Sequence, residues 1–257
     1  MTRVLSFVTA ALAATGIAHA DLAQDVADAH GRNALPSGLV LQSPITVNIG
    51  GNTMLDGADM TFHPNGALVR IEAGGDTAVF DGQTAWVTPD ATMPIPRFQL
   101  LTWPYFAVMA YKLDDGGAVL EPMASAPLRE GEEPMTRAKL TFTDGTGDSP
   151  EDWYILYLND DNQLIASAYI VTYGKTAAEA NPPKAILYED YTNVPGPDGE
   201  TVAVLSPTWS FFAWDENKGL VGEAVGKVTL DDLRFVAPSE DVFEKPEGAA
   251  EVEVPAL

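Results

Sequence analysis

From Leu39 onward apolar and polar positions alternate with a period of two. Ile45, Val47 and Ile49 alternate with Thr46 and Asn48, and Ala67, Val69 and Ile71 alternate with Leu68, Arg70 and Glu72. Such alternation predicts strands with one face on a core and one in water. Asp81-Gly82 predicts a hairpin turn between two short runs. The pattern resumes with Ala138, Leu140 and Phe142, and continues through 153–158 and 164–173 on either side of the turn 159–163. Further runs cover 185–191, 202–214 and 220–235, with turns at 195–199 and 215–219. Val228 and Leu230 keep one parity while Leu233 and Phe235 take the other, which predicts a bulge at Asp231-Asp232.

Two segments depart from this period. Leu22, Val26, Ala29 and His30 recur at helical spacing, with Asp21 as a cap and Gly31 as a stop. Between 96 and 113, Phe98, Leu101, Tyr105, Val108 and Met109 recur every three or four residues. Pro104 pushes Trp103 away from helical geometry, so two helical pieces hinged at Trp103-Pro104 are expected. Apolar on most of their circumference, these pieces must be enclosed or line a cavity.

No linker or internal repeat divides the chain. About ten or eleven strands, a helix at the start and a broken helix in the middle predict a mainly β, α+β single domain over 21–245. Its strongly curved antiparallel sheet wraps around the broken helix. The segment 246–257, acidic and Pro/Gly-bearing, is expected to fray as a flexible tail.

Residues 1–20 read as a signal peptide. Arg3 supplies the positive start, 4–17 is a short apolar run, and Ala18-His19-Ala20 is a small-x-small cleavage pattern before Asp21. The run is too short to span a bilayer and stay. There is no cysteine, hence neither a disulfide nor a lipid anchor, so a free periplasmic or secreted protein is expected. Acidic residues number 37 against 14 basic ones, and loss of Arg3 with the leader takes the net charge from −23 to −24. This disfavours nucleic acid and anionic membrane surfaces as partners.

The order of elements resembles that of the periplasmic lipoprotein carrier LolA and its receptor LolB. The resemblance is carried by the leader, the helix 22–31, the meander 39–88, the interrupting segment 98–113 and the strands beyond. The stretches TWPYFAVMAYKL (102–113), DWYILYLNDDNQL (152–164) and VTLDDLRFVAPSEDVFEKPE (228–247) also look like those of exported proteins of this shape. The resemblance implies an unclosed barrel whose concave face holds acyl chains and whose mouth is covered by helices. For the arginine that closes such a lid, Arg70 is the residue nearest the expected region. It reads as an outward-facing residue on its strand.

Catalytic chemistry has few candidates. His19 leaves with the leader, His30 lies on the first helix and His63 sits in a turn; no nucleophile elbow, zinc motif or phosphate loop occurs. Residues 144–152 place Asp144, Asp148, Glu151 and Asp152 in one loop, but without calcium-loop spacing, so it reads as a connector. No catalytic residue, metal ligand or cofactor is therefore assigned. The aromatic supply remains. Trp209 and Phe211 lie on one face of a strand and Phe212 and Trp214 on the other, so one face can pack while the other lines a cavity. The candidate ligand-binding set is Trp86, Phe98, Leu101, Trp103, Tyr105, Phe106, Met109, Tyr157, Tyr169, Trp209 and Phe211. The expected function is non-enzymatic binding or carriage of a lipid, acyl chain or other apolar ligand by a monomer without a membrane anchor. The alternatives are an exported scaffold with a self-filled core, and a carboxylate-based hydrolase.

Overall fold

The computed structural model describes residues 22–35 and 37–254. The expected leader, its cleavage site and the Asp21 cap lie outside the described residues. Helix α1 covers 22–29 and buries Ala23, Val26 and Ala27 together with His30, a stripe at i, i+3, i+4 and i+7. The expected face of Leu22, Val26, Ala29 and His30 is thus rotated by about one position. Gly31 stops the helix at φ 85°, where its missing side chain lets the chain approach Ala203.

The meander is built by β1 (Val40–Ile49), β2 (Asn52–Phe62), β3 (Val69–Ala73), β4 (Asp76–Phe80) and β5 (Ala85–Val87). Helix α2 (Pro96–Ala107) follows. After it come β6 (Ala118–Pro127), β7 (Pro134–Phe142), β8 (Tyr154–Leu158), β9 (Leu164–Tyr169), β10 (Lys184–Glu189), β11 (Thr192–Pro195) and β12 (Thr201–Leu205). The chain ends in β13 (Thr208–Asp215), β14 (Gly219–Leu230), β15 (Arg234–Val236) and β16 (Ala250–Val252). One antiparallel sheet of 14 strands runs β16-β5-β4-β3-β2-β1-β14-β13-β10-β9-β8-β7-β6, with β15 also paired to β1. Its two ends do not pair, so the barrel is not closed. Strands β11 and β12 form a separate hairpin. The strands outnumber the ten or eleven expected because the runs 202–214 and 220–235 each hold two, and because β6, β11 and β16 lie outside the expected runs.

The expected bulge is present. Ile45 faces Leu230 and Gln42 faces Arg234, so three steps on β1 oppose four on its partner, and Val228, Leu230, Leu233 and Phe235 are all buried. Within 246–254, the described part of the tail, the chain does not fray as expected. Residues 250–252 pair with β5, Ala250 opposite Val87, and so cover an edge whose backbone groups would otherwise be open.

Helix α2 also differs from its expectation. Pro96 takes the first helical position, after Ile95 turns the chain at φ 41°. The helix passes through Pro104 and breaks only at Val108 (φ −121°, ψ 24°), before a short 3-10 turn over Met109–Tyr111. Tertiary packing offsets the hydrogen bond that Pro104 cannot donate, because Trp103, Pro104, Phe106 and Ala107 are all buried. Two apolar clusters result. The larger fills the concave side beneath α1 and α2. The smaller lies on the other face, where Tyr157, Phe212, Trp214 and Leu220 meet Leu128.

Candidate functional site

The faces of α2 have different fates. Leu100, Trp103, Phe106 and Ala107 are buried in the core, whereas Phe98, Leu101, Thr102 and Tyr105, again at i, i+3, i+4 and i+7, are half-buried. That second stripe borders a cavity of about 460 Å³ whose opposite wall comes from the ends of β7 to β10 and the loops between them. Phe142, Tyr154 and Tyr169 face the helix there. Tyr105 lies 5.6 Å from Tyr154, Phe106 lies 5.3 Å from Tyr169, and Phe98 lies 5.4 Å from Tyr173, between ring centroids. The volume falls within the range of about 300–1,000 Å³ usual for small-ligand sites, and the lining is mainly apolar with a few polar groups.

Two ion pairs fix the frame. Arg97, in the first turn of α2, donates through Nε (2.6 Å) and Nη2 (2.8 Å) to both oxygens of Asp148. Lys112, beyond α2, is bound by Asp115 and donates to the Asn65 carbonyl at 2.6 Å. The hydrogen bonds it donates to Asp148 raise the Arg97 guanidinium above its ordinary pKa.

Asp152 also lines the cavity. Its Oδ1 accepts the Thr172 N–H and O–H, each at 2.7 Å. Burial pushes its pKa up to about 6, against the opposing pull of those hydrogen bonds. Burial likewise raises the phenols of Tyr105, Tyr154 and Tyr169 above their ordinary range. Among the described residues no group of three or more His, Cys, Asp or Glu is placed to hold a metal ion.

Of the residues singled out in the sequence, Phe98, Leu101, Trp103, Tyr105, Phe106 and Tyr169 border the cavity. The other five do not. Trp209 and Phe211 are fully buried in the core on the concave face, Trp209 6.5 Å from Phe106. Met109 is enclosed against the Tyr188 hydroxyl. Tyr157 points to the opposite face, because Tyr154, Leu156 and Leu158 take the concave parity, and its hydroxyl accepts Trp214 Nε1–H at 3.0 Å. Trp86 lies on β5 with its Nε1–H on Asp81 and the Lys245 ammonium 3.8 Å over its ring. Arg70 turns outward to Glu72. Sequence reasoning missed Tyr154, Phe142 and Asp152 as cavity residues. The parity that Tyr154 shares with Leu156 and Leu158 was the available signal.

The fold and cavity define an unclosed half-barrel with an aromatic-walled pocket beneath a helix. The fold is similar to that of a LolA superfamily protein from Nitrosomonas europaea, over 87% of this chain and 97% of the other, with 14% identity and a TM-score of 0.53. It is also similar to a DUF1329 family protein from Desulfovibrio piger, over 90% of this chain and 97% of that one, with 13% identity and a TM-score of 0.54. No family model and no curated protein matches the sequence. The chain has the LolA-like fold.

Proposed function

We propose that this chain is a non-enzymatic, periplasmic binding or carrier protein that holds an acyl chain or similar apolar ligand between α2 and the concave sheet. The observation that carries this reading is the aromatic-walled cavity of about 460 Å³ bordered by the half-buried stripe of α2. The carrier role implied by the resemblance to LolA agrees with it, as does the leader read in residues 1–20. Burial of a twelve-carbon chain contributes on the order of 10 kcal/mol, at about 0.8 kcal/mol per methylene, before ordering costs. That term needs no fixed catalytic constellation. His30, the histidine nearest the core, already uses both ring nitrogens in structural hydrogen bonds.

The test is titration of the mature protein with N-phenyl-1-naphthylamine, a neutral apolar fluorophore. Its emission should rise with a dissociation constant of about micromolar order. Leu101→Asp should weaken binding at least about tenfold at unchanged circular dichroism, because a carboxylate placed on the half-buried stripe cannot be desolvated cheaply. No enhancement with the wild type would overturn the reading in favour of a self-filled scaffold.

A further inference from the structure

The charged groups around the cavity differ in whether they are already matched. Asp148 is held by Arg97 on both oxygens, and Asp115 by Lys112. Asp152 has no cationic partner among the described residues. Thr172 fixes one of its oxygens with two hydrogen bonds and the Tyr154 phenol also donates to it, which orients the carboxylate and, of about four lone-pair sites, leaves one for a further donor. The phenols of Tyr105, Tyr154 and Tyr169 stand near it. The Tyr105 hydroxyl is enclosed without any hydrogen-bond partner among the described residues. A buried donor lacking an acceptor is costly unless something supplies one. The wall therefore holds an oriented acceptor and an enclosed, unmatched donor on two residues that line the apolar space.

We propose that Asp152 and Tyr105 seat the head of a neutral acyl ligand, one whose carbonyl accepts from Tyr105 and whose hydroxyl or amide N–H donates to Asp152, and that Asp152 excludes free fatty-acid anions. This rests on the cavity reading above. A carboxylate brought beside an ionised Asp152 in an apolar pocket meets like-charge repulsion without water to screen it, and the net charge of −23 adds a repulsive field. One cation opposes this. Lys184 shares a cross-strand row with Tyr169 and Tyr154 on the cavity wall and could draw an anion to the other end of that row.

Competition decides between them. At pH 7.5, where Asp152 is ionised, 1-monolauroylglycerol and laurate would each displace N-phenyl-1-naphthylamine from the full mature chain. The glyceride should act at a concentration at least about tenfold lower than laurate. Asp152→Asn keeps an oxygen for Thr172 and should narrow the gap by improving laurate. Tyr105→Phe should weaken the glyceride at least about tenfold more than it weakens the fluorophore. If Asp152→Asn fails to fold, the wild-type ratio and Tyr105→Phe carry the test. Equal or tighter binding of laurate overturns the proposal, and loss of that preference in Lys184→Met would assign the head-group choice to Lys184 instead. Fluorophore binding that neither lauroyl compound displaces overturns the head seat while leaving the cavity standing. Absence of fluorophore binding removes the cavity and the seat together.

Discussion

His30 Nε2 accepts the backbone N–H of Leu164 at 3.0 Å across 134 positions of sequence. Its Nδ1 lies 3.0 Å from the Val204 carbonyl, so the proton must sit on Nδ1 and the ring is neutral. The His30 carbonyl accepts the Val204 N–H at 3.0 Å and the Tyr111 hydroxyl at 2.6 Å. One residue therefore ties α1 to β9, to β12 and to the turn after α2. His30→Ala leaves buried backbone groups unpaired and a void, and is expected to cost about 3 kcal/mol in urea unfolding at pH 7.5.

The same pairing sets a pH dependence. Burial lowers the His30 pKa from 6.5 to about 4. Between those values the unfolded chain binds a proton that the folded chain refuses, so this residue's contribution is complete above 6.5 and declines as the pH falls toward 4. The loss amounts to about 3 kcal/mol, at about 1.4 kcal/mol for each pH unit of the gap. Asp152 acts with the opposite sign. Its folded pKa, up to about 6 from 3.8, means that stability declines as the pH rises through that window. The two slopes overlap and partly cancel in the wild type. His30→Gln should therefore remove the loss in acid, and Asp152→Asn should steepen it, as read from urea midpoints at pH 5 and 7.5.

Arg97 and Asp148 join the first turn of α2 to the loop between β7 and β8, and both side chains are largely out of water, at 13% and 16% exposure. Removing one partner leaves an uncompensated charge, whereas removing both does not. Asp148→Ala is expected to cost about 2 kcal/mol, and a double-mutant cycle with Arg97→Met should recover about half of it. Strict additivity in thermal melts would show that the pair contributes only as separate surface charges.

Gly31 combines a left-handed φ of 85° with a backbone approach. A Cβ there would lie 3.1 Å from Ala203 Cα and 3.2 Å from the Val202 carbonyl oxygen. Gly31→Ala should thus destabilise by about 1–3 kcal/mol, unlike an alanine placed at an unstrained glycine. Asparagine, which tolerates this φ but also carries a Cβ, should do no better, and its rescue of stability would show that conformation rather than contact with β12 is limiting.

Much of the fold was legible because period-two runs such as 45–49 and 138–142 carry their own face assignment, and the parity switch at Asp231-Asp232 named a bulge that joins β14 to β15 along β1. What escaped depended on contacts distant in sequence. Pro104 signals a break locally, yet burial of its neighbours holds the helix through it, and only the whole sheet supplies that burial. The tail reads as soluble and loose, yet β5 offers an open edge that residues 250–252 fill. Helical spacing grouped Phe98, Leu101 and Tyr105, which share the half-buried stripe of α2. Composition alone could not separate Tyr157 from Tyr154, because aromatic residues on both faces of β8 are equally apolar and only the concave parity reaches the cavity.

Thr102 offers a test of the cavity that does not insert a charge. It lies on the half-buried stripe of α2 between Leu101 and Trp103 and borders the open space. Filling an existing void with apolar atoms gains packing without the strain of overpacking, so Thr102→Trp should leave the melting temperature unchanged or raise it by about 2–4 °C. At the same time the indole would occupy volume that an acyl chain needs. Binding of N-phenyl-1-naphthylamine should therefore fall at least about tenfold. The two readouts must move apart. A lower melting temperature with lost binding would mean that Thr102 faces a packed core, and retained binding with an unchanged melting temperature would place the ligand elsewhere on the molecule.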